Sequence, residues 1–258
     1  MRFVSAILTL VMLTAFDPTG DEWIKSSHKG YQYYYQNADQ ARTAKYTGLI
    51  DNGLQSVEQF FKKGFPKPFD VYVHPTRQSW DKKFQVAYQM PDFKSECWMV
   101  ASGDGFQLNM ISPITWDSAS CEHKYGNKVQ TQQLLTHELF HVFHGQHNPS
   151  PDFMDYTGLD WFAEGFATFA SGQLSNQRMT EVKKLVAENK APTALDDFWK
   201  GRQRYGLSGS MVQFLDTRFG RETLFTLLKF KTKAEMLSAI GLSEQELLDG
   251  WRKSLTGN

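Results

Sequence analysis

Residues 133–147 read Q-L-L-T-H-E-L-F-H-V-F-H-G-Q-H, and the organisation of the chain follows from them. Leu135, Leu139 and Val142 recur at helical spacing, which predicts a helix over 130–144. Gly145 is its expected stop, with Pro149 and Pro151 beyond it. His137 and His141 are four apart, so on a helix their side chains stack on one face, one turn apart. Two imidazole nitrogens placed in this way can reach one metal ion. Glu138 falls about 100 degrees further round the helix. There a carboxylate stands beside the ion rather than on it, where it can accept a proton from a bound water. A helix carrying two surface histidines has the same spacing, so the pattern becomes a site only if a third ligand exists.

Upstream of this helix the chain reads as strands and one long helix. The run Y-Q-Y-Y-Y at 31–35 suits a pleated surface. Leu49, Ile50, Leu54, Val57, Phe60 and Phe61 give residues 39–62 an amphipathic helical pattern, broken by G-F-P-K-P. F-D-V-Y-V-H at 69–74 alternates as a half-buried strand does, and a short helix is expected over 76–87. W-M-V-A, then S-G-D-G, then F-Q-L-N-M-I predicts a hairpin over 98–111. If the edge of the strand at 106–111 is open, an extended peptide can pair with it.

Downstream, apolar patterns predict helices over 159–170, 179–188, 207–219, 222–230 and 243–255, with Gly172, Gly220 and Gly241 as end markers. Strands early and helices late make an α+β fold. The expected division is a lobe at 21–146, with a small mixed sheet and the H-E-L-F-H helix, and a mostly helical lobe at 147–258. The cleft should lie near residues 140–165.

The third ligand is sought among His and carboxylates, because two cysteines cannot build a Cys-based zinc site. In W-F-A-E-G-F-A-T-F-A at 161–170, Glu164 is the only charge. A carboxylate buried without a partner costs several kcal/mol or protonates, and a cation removes the problem. His137, His141 and Glu164 together make the ligand set of an open catalytic Zn2+ site. A Glu on an exposed helix edge is the plainer alternative.

H-E-L-F-H, followed after twenty-two residues by Glu164 within W-F-A-E-G-F-A, resembles the gluzincin zinc metallopeptidases, and within them the peptidase MA-like branch. Tyr205 with the later S-G-S-M-V-Q-F-L-D-T-R-F-G, and I-G-L-S-E-Q-E-L-L-D-G-W-R-K-S-L at 240–255, are similar to that family's C-terminal segments. The resemblance covers roughly residues 65–256 and implies hydrolysis of a peptide or protein substrate, with Glu138 as general base. It also implies a Tyr or His after the third ligand that stabilises the oxyanion. Tyr205 is the candidate, and His123 a weaker one. A competing pattern, H-E-x-x-H-x-x-G-x-x-H of the metzincins, would make His147 the third ligand. That pattern needs Gly at 144, where this chain has His144 and the Gly one place later. His144 itself receives no role. A zinc-binding module without catalysis is the further alternative, against which the presence of Glu138 argues.

Composition narrows the partners. Charge balances to zero, with 28 basic and 28 acidic residues and no long block of one sign, so neither nucleic acid nor a membrane surface is an expected partner. Arg2 followed by an apolar stretch without charge until Asp17 has the form of a signal peptide over residues 1–16, with an uncleaved anchor or a buried strand as alternatives. No stable membrane span is expected after its removal, and the destination is secreted or periplasmic. In an exported chain the two cysteines, Cys97 and Cys121, suggest a disulfide, against two buried thiols.

Overall fold

The computed structural model describes residues 13–16 and 22–256. The chain runs β1 (Leu13–Phe16), β2 (Glu22–His28), β3 (Tyr31–Tyr35), α1 (Thr43–Phe61), β4 (Phe69–His74), α2 (Arg77–Ala87), β5 (Ala101–Gly103), β6 (Gln107–Ile111), α3 (Trp116–Ala119) and α4 (Lys128–Gln146). Helices then follow one another: α5 (Asp160–Ala170), α6 (Asn176–Ala187), α7 (Arg204–Phe219), α8 (Arg221–Leu227), α9 (Lys233–Ile240) and α10 (Glu244–Thr256). This is the α+β arrangement, with a small mixed sheet first and a helical part after it.

The sheet has strand order β1-β2-β3-β4-β6-β5. β3–β4 and β4–β6 are parallel, and the remaining pairs are antiparallel. Tyr31, Tyr33 and Tyr35 of β3 and Phe69, Val71 and Val73 of β4 point to the same buried face. Their alternation follows from the two-residue period of a strand. α1 covers this face with Tyr46, Ile50, Val57 and Phe61, spaced by about one or two helical turns. Of the residues read as a leader, 1–12 lie outside the described residues, while Leu13–Phe16 pairs with β2. Among the described residues no helix is long and apolar enough to cross a membrane.

α4 is the central element. From Leu134 to Gly145 every residue is buried. α1 and α5 pack against it, as do β5 and the end of the sheet. A helix enclosed in this way is buried all round rather than on one stripe, so the Leu135–Leu139–Val142 pattern understates its contacts. Its start is capped by Asn127, whose side chain accepts from the Gln130 amide.

Two sequence expectations change here. Gly145 does not stop α4, which continues to Gln146. A Cβ at 145 would lie 2.4 Å from both the Gly105 nitrogen and the Pro151 oxygen, so this glycine serves a close backbone approach. The strand at 107–111 is not an open edge either. It lies between β4 and β5, and β5 holds the outer position. Pairing of a peptide with that strand is therefore excluded, because both its hydrogen-bonding sides are taken.

Cys97 and Cys121 form a disulfide with a Cα–Cα distance of 5.4 Å. It ties the start of the β5–β6 hairpin to the segment that leads into α4.

Candidate metal centre

α4 carries His137 and His141 on one face, as their spacing requires. α5 brings Glu164 opposite them. α5 is placed by a small-residue crossing with α7. A Cβ at Gly165 would lie 2.4 Å from the Ser208 oxygen, and one at Gly209 would lie 3.1 Å from the Thr168 Cγ2. The S-G-S segment at 208–210 is thus a packing device that lets two helix backbones approach. Phe162 and Phe166 of the same helix pack edge-on against the buried His144 ring, at 5.8 and 5.7 Å.

The three donor atoms converge. His137 Nε2 and His141 Nε2 are 3.1 Å apart. Glu164 Oε2 lies 3.3 Å from the first and 3.7 Å from the second. Tetrahedral coordination with bonds of about 2.0–2.1 Å separates ligand atoms by about 3.3–3.4 Å. The observed separations bracket that value. Among the described residues, these are the His, Cys, Asp and Glu donors that gather within metal-binding reach of one another. The donor set fits a divalent cation.

The electrostatics agree. Burial works to raise the Glu164 carboxyl, but His141 beside it and hydrogen bonds from both imidazoles hold it well below the usual carboxylate range. Burial likewise works against a charged His141, and Glu164 outweighs it, so that this imidazole is pushed up. Glu164 therefore stands ionised in a place that asks for positive charge beside it, although its side chain is 29% exposed rather than fully enclosed.

Glu138 is buried beside this cluster, and burial pushes its carboxyl upward. The Gly103 amide of β5 hydrogen-bonds it. β5 reaches this position because residue 103 lacks a side chain: a Cβ there would lie 2.2 Å from the Glu138 backbone oxygen. Tyr205, in the first turn of α7, sets its ring 6.4 Å from that of His137. Burial first, and then Glu164, push its hydroxyl up to about 12, so it keeps its proton at neutral pH. His137, Glu138, Tyr205 and His123 all line one cavity of about 450 Å³, which Trp98 to Ala101 line as well.

His147 is outside the cluster. Its Nδ1 bonds the Phe143 carbonyl at 2.8 Å, and its ring packs on Phe143 and Phe225. His144 is fully buried, and its Nε2 is hydrogen-bonded with the Tyr156 hydroxyl at 2.7 Å. Asn148 Nδ2 donates in turn to that hydroxyl and to the Leu228 carbonyl. This network clamps the 147–158 segment to α4, and nothing in the spacing of the histidines announces it.

Burial pushes His144 down to about 3, so the native ring is neutral. Unfolded histidine titrates near 6.5. As pH falls from 7 to 5 the unfolded chain takes up a proton that the native chain refuses, and stability falls. The loss attributable to His144 is about 2 kcal/mol over that interval. Urea unfolding of wild type and His144→Gln at both pH values checks it: the wild type should lose about 2 kcal/mol more than the variant. Equal losses would remove His144 as the source.

No protein-family model matches the chain, and no curated protein does. Among solved structures, Legionella pneumophila aminopeptidase A in complex with aspartic acid is similar at 14% sequence identity and a TM-score of 0.49, over 93% of this chain and 27% of that one. The chain thus spans about a quarter of that protein's length. A likeness at this level carries no argument about function, which rests on the residues themselves.

Proposed function

We propose that the chain is a zinc-dependent metallopeptidase with His137, His141 and Glu164 as metal ligands and Glu138 as general base. The observation that supports this is the 3.1, 3.3 and 3.7 Å triangle of donor atoms with a buried carboxylate next to it. Two imidazoles and one carboxylate suit zinc and leave one coordination position for chemistry. Bound there, zinc supplies a Lewis acid and an activated water.

The remaining steps belong to the chain. The substrate's scissile carbonyl enters from the 450 Å³ cavity. Glu138 Oε takes the proton from the attacking water and delivers it to the leaving amine. Its burial raises its proton affinity and favours the first of these transfers, uptake of the proton from water. Tyr205, protonated at neutral pH, is the donor proposed for the developing oxyanion. Backbone pairing with an extended substrate falls to β5, the outer strand, whose Ala101 lines the cavity. The cavity has walls from both the 21–146 part and the 147–258 part, which supports treating these as two lobes around one cleft. The disulfide supports a place in an oxidising compartment, secreted or periplasmic.

Chelation tests the reading. Incubated with a mixed peptide library, the zinc-loaded chain should cleave peptide bonds, lose at least 95% of that activity (about a 20-fold fall) on removal of zinc, and recover it with one equivalent of zinc per chain. Zinc bound tightly with no bond cleaved would point instead to a binding module.

A further inference from the structure

The cavity beside the cluster has a cation that the chemistry above does not use. Arg178 lies in the first turn of α6 and borders the same cavity as His137, Glu138 and Tyr205. One of its terminal nitrogens donates to the Gln173 carbonyl at 2.8 Å. Its guanidinium carbon sits 5.1 Å from the centre of the Tyr205 ring. Burial lowers its pKa. Glu122 and Glu181 also border the cavity and attract the Arg178 guanidinium electrostatically, but among the described residues neither stands within ion-pair distance of it. Among the described residues this half-buried guanidinium has one hydrogen-bond acceptor, which leaves donors for another partner.

The cavity lining carries both signs of charge, with Glu122, Glu138 and Glu181 as well as arginines. Arg202 lines the cavity as well. Arg204 lies 5.3 Å from the same Tyr205 ring, between Trp98 and Trp199, and its Nε is buried with no hydrogen-bond partner. Tyr205 therefore has two guanidinium groups around it and stands 6.4 Å, ring to ring, from His137. By way of the Tyr205 ring, steps of 6.4 and 5.1 Å place Arg178 within about three extended residues of His137.

We propose that Arg178 is a specificity-determining residue that receives a carboxylate of the substrate, one to three residues from the bond that is cut. The carboxylate is either an acidic side chain or the substrate's free C-terminus; the two share one chemistry. A planar fork suits it, and a partly buried pair is stronger than the same pair in bulk water. This rests on the peptidase reading above.

The test uses the zinc-loaded full chain and matched peptide libraries around a randomised centre. One library carries Asp and Glu, its twin Asn and Gln, and each is made with a free or an amidated C-terminus. The expected result is a kcat/KM about 10- to 100-fold higher for the carboxylate-bearing members. Arg178→Gln should erase that advantage and leave the neutral peptides within about threefold of wild type. The free-acid and side-chain arms tell which carboxylate is read. If Arg178→Gln does not fold, Arg178→Lys keeps charge and stem, and its loss should still be confined to the carboxylate peptides, at about tenfold.

No preference in the wild type, or an equal fall on both classes in the variants, would overturn the proposal. Binding of the same peptides to Glu138→Gln, followed by fluorescence anisotropy, separates this from the peptidase reading. If the wild type cuts nothing but Arg178-dependent preference for carboxylate peptides remains in binding, recognition stands and hydrolysis falls. If binding shows no such preference, recognition falls whatever the cleavage result.

Discussion

Glu138→Gln should lower peptide cleavage about 1,000-fold while leaving zinc binding within a few-fold of wild type. Gln preserves the shape and most hydrogen bonds of Glu but cannot carry a proton away from water. The residue is buried next to the ligand cluster, and the Gly103 amide holds its side chain. Both properties fix it in place, so the variant changes chemistry more than structure. The measurement is single-turnover cleavage of a quenched peptide with zinc content determined in parallel. A fall in kcat with zinc retained separates a general base from a fourth ligand. If both fall together, Glu138 is acting on the metal or on the fold. If neither falls, the proton has another acceptor.

The second large effect is on stability. Gly103→Ala would place a methyl group 2.2 Å from the Glu138 backbone oxygen and 3.3 Å from His141 Cβ. Neither neighbour is the free end of a flexible side chain, so β5 must move away from α4. Overpacking of this kind costs about 1–3 kcal/mol. In a chain of this size that corresponds to a fall in Tm of roughly 3–10 °C. The displaced strand also carries the amide that holds Glu138, so activity should fall further than stability alone explains. Gly48 is the control. It lies within α1, and a Cβ there would meet nothing within 4 Å. Gly48→Ala should raise stability by up to about 1 kcal/mol, the helix-propensity gain of alanine. Opposite signs at the two glycines, read by thermal unfolding, would show that the close approach at 103 matters rather than glycine itself.

The elements that the sequence discloses most clearly are those whose periodicity is local. The strand at 69–74 and the helices expected over 159–170 and 207–219 follow from alternation or from 3.6-residue spacing, and the structure has the second helix begin earlier, at Arg204. β2 does not stand out, because E-W-I-K-S-S-H buries chiefly Trp23 and Ser26 and otherwise presents mixed polarity. Its place depends on pairing with the tyrosines of β3. The short α9 is hidden for a similar reason: its one buried residue, Met236, leaves no stripe, and it is held at its start by the Thr232–Glu235 capping box. The order of strands in the sheet is a long-range property, which is why the strand at 107–111 reads as a possible edge and proves interior.

At the site, the pairing of His137 with His141 is a helical repeat and needs only four residues of sequence. Glu164 is legible for a different reason, as the lone charge in the apolar run 161–170. Its side chain keeps 29% exposure, so Glu164 is less enclosed than its apolar neighbours in sequence imply, while the convergence of the three donors supports its pairing with a cation. His147 and His144 look alike in sequence but have different surroundings. One bonds a carbonyl of its own helix, and the other closes a buried network with Tyr156 and Asn148. Arg178 carries no sequence signal, and Gly103 reads only as part of a turn although it ends β5, because their significance arises from what folds against them.

Zinc binding to the full chain and to two single variants tests the ligand set most directly. Competition with a chromophoric chelator should give one zinc per wild-type chain. Glu164→Ala should weaken it by at least about 100-fold, and His147→Ala should leave it unchanged. If His147→Ala releases the metal while Glu164→Ala retains it, the centre built on His137, His141 and Glu164 is contradicted.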